Sequence, residues 1–137
     1  MGWIPRALVS ALQQAAELNV KIDYNDHSFI IIMNDYGDLR LNVLFTSRQI
    51  IIETIICPLS AIQRQDLFNA FILRHQKLLP LSSVAISRLK NDEYYVAFGA
   101  LSLNSSLEDV VLEIATLAAN ALGKVRISRS FLPKLTR

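Results

Sequence analysis

The stretch "SRQIIIETIICPL", Ser47–Leu59, decides how the rest of the chain is read. Glu53 is the only formal charge between Ile50 and Leu59. As a β-strand, with side chains alternating between two faces, it sets Ile51, Ile55 and Cys57 on one side. Ile50, Ile52 and Ile56 take the other. A half-exposed strand needs only one apolar face, and this one has two. Leaving Ile50, Ile52 and Ile56 wet would forfeit roughly 1.5–3 kcal/mol per side chain. That face is expected to be the dry one, with Glu53 near the rim of the sheet or in need of a partner. Either the protein's own helices cover it, or another chain does. The run is too short for the roughly 18–20 apolar residues of a membrane span, and Arg48, Glu53 and Arg64 interrupt it.

Upstream, "VKIDYN" alternates Val20, Ile22 and Tyr24 against Lys21, Asp23 and Asn25. "FIIIMN" and "LRLNVLF" read as two further strands, joined by the turn sequences "NDHS", "DYGD" and "TSR". Connections this short make an antiparallel meander, because parallel crossovers need longer links. Before it, Pro5 and the spacing of Leu8, Leu12, Ala15, Ala16 and Leu18 predict a helix over about 5–18.

After Pro58, Ser60 with Gln63 forms a capping-box pattern for a second helix. Its main stripe is Leu67, Phe68, Phe71, Ile72, His75, Leu78 and Leu79. Ile62, Ala70 and Leu73 form a minor patch on the other side. Pro80 closes this helix, and "SSVAISRLK" and "EYYVAFGALS" follow as a hairpin turning at "KNDE". Ser106 is placed to cap a last helix, with Asp109 at its third position and Gly123 suited to end it. The order α-β-β-β(-β)-α-β-β-α predicts an α+β fold, an antiparallel sheet of five to six strands with helices packed on it. Residues 1–123 are expected to form one domain, and 124–137 a basic C-terminal tail.

The 137 residues carry a net charge of +2, unevenly placed. Residues 1–123 hold 9 Lys/Arg against 12 Asp/Glu. The tail holds Lys124, Arg126, Arg129, Lys134 and Arg137 and no acid. It is a solubilising terminus, or else a contact for an anionic surface in which Phe131 and Leu132 insert into lipid. No secretory signal is evident, Arg6 spoils a myristoylation reading of Gly2, and one cysteine excludes an internal disulfide. A cytoplasmic location is expected.

Chemistry-bearing motifs are sparse. Gly2, Gly37, Gly99 and Gly123 are too scattered for a phosphate-cradling loop. The two histidines and one cysteine have no zinc-ligand spacing. Cys57, in an apolar run, reads as a small core hydrophobe, and His75 as a ring hydrogen-bonded at the core edge. The alternative is a small enzyme using either group. Asp26, Asp35 and Asp38 match no calcium loop and suit turns. Tyr94 and Tyr95 point to opposite faces, leaving no stacking platform for nucleic acid. No enzyme activity, cofactor, metal or nucleic acid is expected.

The segment from His75 to Leu122, through "LLPLSSV", "YYVAFGALS" and "SSLEDVVLEI", resembles a family of uncharacterised bacterial proteins typified by YjfI. That resemblance implies a small bacterial cytosolic protein, often encoded beside a phage-shock-protein-A-like membrane-stress protein. The order of elements is similar to the type III secretion chaperones of the CesT and Tir type. This second resemblance implies a homodimer holding a partner's extended segment on apolar and strand-edge surface. Secretion chaperones tend to be acidic, and this chain departs from them in its positive charge. The residues expected to meet a protein partner are Ile50, Ile52, Ile56, Ile62, Ala70 and Leu73. If the protein's own helices cover the Ile50 face, the partner surface lies elsewhere.

Overall fold

Alternation and short polar turns leave the first half of the chain little choice but a ladder of neighbouring strands. In the computed structural model, which describes residues 2–25, 27–78 and 81–129 (122–129 as backbone), that ladder is β1 Val20–Asn25, β2 Ser28–Met33, β3 Leu39–Phe45 and β4 Gln49–Pro58. Helix α2, Gln65–His75, then carries the chain to the far edge, where β5 Ser83–Leu89 forms. β6, Asp92–Ser102, turns back between β5 and β4. The sheet is antiparallel with order β1-β2-β3-β4-β6-β5. Helix α1, Pro5–Gln13, precedes it and α3, Leu107–Arg129, follows it.

Among the described residues the three α-helices lie on one side. Leu8, Val9 and Leu12 of α1 and Val110, Ile114, Leu117 and Ala118 of α3 pack on Phe29, Ile31, Met33, Leu41, Val43, Ile50, Ile52 and Ala97. On the same face, Phe68 and Ile72 of α2 join Ile62 and Tyr95 in a second cluster, with Val84 beside them. The Phe68 and Tyr95 rings meet edge to face at 4.6 Å. The Tyr95 hydroxyl donates to Asn69 Oδ1 at 2.5 Å. Trp3 pins the N-terminal segment to the β6–α3 connection, its Nε1 donating to the Ser105 carbonyl at 2.7 Å.

Several expected boundaries move. α1 stops at Gln13 instead of continuing to 18, and Leu18 turns in to pack against the main core. The capping box at Ser60 does not form. Leu59–Ala61 is a 3-10 turn, and Ile62 is extended and drops into the second cluster, so α2 starts only at Gln65. Arg64, at its N-cap, pairs with Asp66 at 3.0 Å. Ser106 does cap α3, its Oγ accepting from the Asp109 N–H at 3.1 Å. Gly123 does not end that helix, which runs on to Arg129. An interior glycine costs a helix only about 1 kcal/mol, too little to stop it.

Strand β4 has a register shift between Ile55 and Cys57. Ile55 pairs with Val96 and Cys57 with Tyr95, so one extra residue is inserted and the alternation flips. Cys57 therefore leaves the face of Ile51 and Ile55, where strict alternation set it, and packs with the second cluster.

Candidate protein-binding surface

Among the described residues the helices lie on one side and leave the other side of the sheet without a helix, although Val96 on that side, opposite Ile55, is 1% exposed. Among the described residues, neither apolar cluster includes a side chain from that side. Cross-strand register assembles its centre: Ile30 and Ile32 on β2, Leu44 on β3, Ile51 and Ile55 on β4, and Phe98 on β6. Leu44 is 38% and Ile55 42% exposed. Glu53 sits in the middle of this strip, opposite Asn42 on one neighbour and Phe98 on the other. Partial burial among apolar neighbours pushes its carboxyl above the ordinary range. The expectation that Glu53 shares a face with Ile51 and Ile55 holds, but it is a central position, not the rim.

The expected contact residues are divided by the fold. Ile50 and Ile52 are fully buried beneath the helices, and Ile62 is 3% exposed in the second cluster. These three are core residues, because the terminal helices cover the face that the sequence marks as dry. Ile56, beside the β4 bulge, is half-buried and touches both clusters. Ala70 is half-buried, and Leu73 is 74% exposed. The signal for the bare face was the other half of the same strand, Ile51 and Ile55.

Leu73 borders a groove of about 280 Å³ between α2 and edge strand β5, with Asn69, Ile72, Val84, Ile86 and Tyr95. The stripe of α2 thus buries Phe68 and Ile72 but leaves Leu67 50% and Leu78 73% exposed. His75 is exposed rather than at a core edge, with Nδ1 2.8 Å from the Phe71 carbonyl oxygen and its ring stacked on Phe71 at 4.3 Å. Cys57 is half-buried, and burial pushes its thiol upward, away from a reactive thiolate.

Among the described residues no group of three or more His, Cys, Asp or Glu is placed to hold a metal. Among them no helix is long and apolar enough to cross a membrane. Lys124, Arg126 and Arg129 lie on the backbone of the last turns of α3. Asp26, Leu79, Pro80, Phe131, Leu132, Lys134 and Arg137 fall outside the described residues.

A family model described as an uncharacterised protein conserved in bacteria, DUF2170, matches residues 2–132. The chain belongs to the DUF2170 family. An uncharacterised relative, YjfI of Escherichia coli K12, is 55% identical over 131 residues, covering 96% of this chain and 98% of the relative. YjfI of Escherichia coli O157:H7 matches to the same extent. Among solved structures, a chain of the HopA1–SchA chaperone–effector complex superposes with a TM-score of 0.64 at 16% identity. The match covers 88% of this chain and 92% of that one. At that identity the likeness is one of fold: a six-stranded antiparallel sheet with three helices. The DUF2170 chain thus has an α+β fold similar to that chain's, with one sheet face uncovered by helices among the described residues.

Proposed function

We propose that this chain is a non-enzymatic protein-binding module, chaperone- or adaptor-like, that holds a partner polypeptide on the uncovered sheet face. The observation that carries the reading is the apolar strip of Ile30, Ile32, Leu44, Ile51, Ile55 and Phe98, spread over four adjacent strands. A bare apolar sheet face is an association surface or an aggregation liability, and the low charge of the strip favours the former only if something covers it. The fold relative from a chaperone–effector complex supports a polypeptide as the occupant.

The finer reading is a homodimer, in the cytoplasm, serving a membrane-stress system of the kind implied by the family resemblance. The test is retention of a permanently unfolded protein. Reduced, carboxymethylated α-lactalbumin co-elutes with the wild-type chain, and Ile55→Asp abolishes co-elution while far-UV circular dichroism is unchanged. A wild-type chain that retains no unfolded protein and scatters light as a monomer overturns the reading.

A second reading rests on the tail charge: Lys124, Arg126, Arg129, Lys134 and Arg137 would meet anionic headgroups, each worth about 1 kcal/mol near the surface. Co-sedimentation with phosphatidylserine vesicles, full-length wild type against a full-length chain with these five changed to glutamine, tests it. Equal pelleting removes it.

A further inference from the structure

Strands β3 and β4 pair only from Asn42 with Glu53 to Phe45 with Ile50. Past the Asn42 rung, β3 stays with β2 back to Leu39, and β4 stays with β6 as far as Pro58. The extra residue between Ile55 and Cys57 bends β4 away, as bulges do. Leu39–Leu41 and Thr54–Ile55 therefore face each other across a fork in the middle of the sheet. One side chain bridges the fork: the buried Thr54 hydroxyl donates to the Arg40 carbonyl at 2.8 Å. Beside that bridge lies a cavity of about 280 Å³ lined by Leu39, Arg40, Asn42, Thr54 and Ile55. By alternation Arg40, Asn42 and Ile55 belong to the bare face. Leu39 packs against the main core, so the notch reaches from the bare face into the sheet. Glu53, opposite Asn42 and two residues before Ile55 on the same face, stands beside its mouth.

The lining says what kind of group fits. Leu39, Ile55 and the Thr54 methyl give the notch a carbon wall. An apolar cavity of about 150 Å³ already admits benzene, whereas sites for drug-sized ligands run to about 300–1,000 Å³. This notch is sized for one ring. Arg40 and Glu53 set opposite charges at its mouth, and among the described residues neither is in an ion pair. A cation seated here meets Arg40, and an anion meets Glu53. A purely apolar group strips water from the half-buried Glu53 carboxyl without replacing its hydrogen bonds. A neutral ring carrying one donor escapes all three objections. Its O–H or N–H donates to Glu53, and its face lies beside the Arg40 guanidinium. Tyrosine and tryptophan have that chemistry, and both are common anchors in interface pockets.

We propose that the notch between β3 and β4 is the anchor pocket of the uncovered sheet face and takes a donor-bearing aromatic side chain, tyrosine or tryptophan, of the partner protein. The inference rests on the protein-binding reading and names the residue type that the partner must present. Glu53 accepts from the ring's donor and so selects it over phenylalanine. Arg40 lies against the ring and keeps cationic side chains out.

The experiment is a nitrogen-15 NMR titration of the full chain with N-acetyltyrosinamide, N-acetylphenylalaninamide and N-acetylargininamide. The tyrosine probe is expected to shift the Arg40, Thr54 and Ile55 amides at millimolar concentration. It binds about fivefold tighter than the phenylalanine probe, the worth of one hydrogen bond, and the arginine probe does not bind. Glu53→Leu removes the preference for tyrosine, Glu53→Gln, which keeps an acceptor oxygen, retains it, and Arg40→Ala admits the arginine probe. Excess tyrosine probe also lowers retention of reduced, carboxymethylated α-lactalbumin. Equal binding of the tyrosine and phenylalanine probes overturns the proposal, as does a preference that survives Glu53→Leu. Binding of the tyrosine probe with retention unchanged overturns it too, because the notch then serves a free aromatic compound and not a partner's side chain. Absence of any shift, with unfolded α-lactalbumin still retained, overturns the notch and leaves the protein-binding reading standing. Absence of both removes that reading as well.

Discussion

Glu113 of α3 lies against Gly99 of β6, and its carboxylate occupies the space a side chain at position 99 would fill. Glu113 is only 5% exposed, and among the described residues its Oε2 has no hydrogen-bond partner. A glycine at the centre of a strand weakens it, and here it admits a buried acid at the helix–sheet contact. Gly99→Ala therefore drives a methyl group into the Glu113 carboxyl. The expected loss is about 1–3 kcal/mol in urea unfolding, as for other overpacked cores. The double variant Gly99→Ala with Glu113→Ala recovers part of that loss, and no recovery would disprove the contact.

The same burial raises the Glu113 carboxyl above its ordinary range. The folded chain then holds the proton more tightly than the unfolded chain, so this group lowers stability as pH rises from the unfolded pKa toward the folded one. Glu53, also raised by burial, acts in the same direction. Glu113→Gln removes one of the two contributions. Relative to wild type, the variant should gain stability as pH rises above the ordinary carboxyl value of 4.5, at a slope up to about 1.4 kcal/mol per pH unit. Parallel pH profiles for the two chains in urea unfolding would refute this.

The two faces of β4 should respond differently to the same truncation. Ile52→Ala opens a cavity under α3 and is expected to cost about 2–5 kcal/mol. Ile55→Ala, on the bare face, is expected to cost less than about 1 kcal/mol and to weaken retention of unfolded protein. Chemical denaturation of both variants checks the assignment, and equal costs contradict it.

Cys57 should be a slow thiol. Burial keeps it protonated near neutral pH, so modification by a chromogenic disulfide runs well behind free cysteine and speeds up in urea. Cys57→Ala leaves retention of unfolded protein intact. Rapid modification of the folded chain, or loss of function in the variant, would revive a nucleophilic role.

Much of this architecture is legible in local pattern. Val20 and Ile22 alternate with polar residues because one side of β1 meets the core, although Tyr24, next on that side, is 37% exposed, and Ser106 caps α3 because its oxygen reaches a nearby N–H. Both signals involve residues close in sequence. The start of α2 was not legible, since Ser60 and Gln63 satisfy the same local rule. Ile62 gains more by entering the cluster of Phe68, Ile72 and Tyr95 than the capping box offers, and half of that cluster's ring contact comes from β6.

From its sequence alone this protein is an α+β chain whose strand Gln49–Pro58 has an Ile50, Ile52 face that must stay dry and a second apolar face with Glu53 in it. Periodicity determines this, because alternation and hydrophobicity belong to the strand itself. Only the tertiary structure decided that all three helices take the same side, that Cys57 crosses faces at the bulge, and that Gln76 reaches Val84 across the edge. Those outcomes depend on contacts between segments far apart in the chain. An apolar side chain carries the same transfer energy whichever neighbour covers it, so Glu53 marks the Ile50 face as the dry one in sequence, while packing decides which elements cover it.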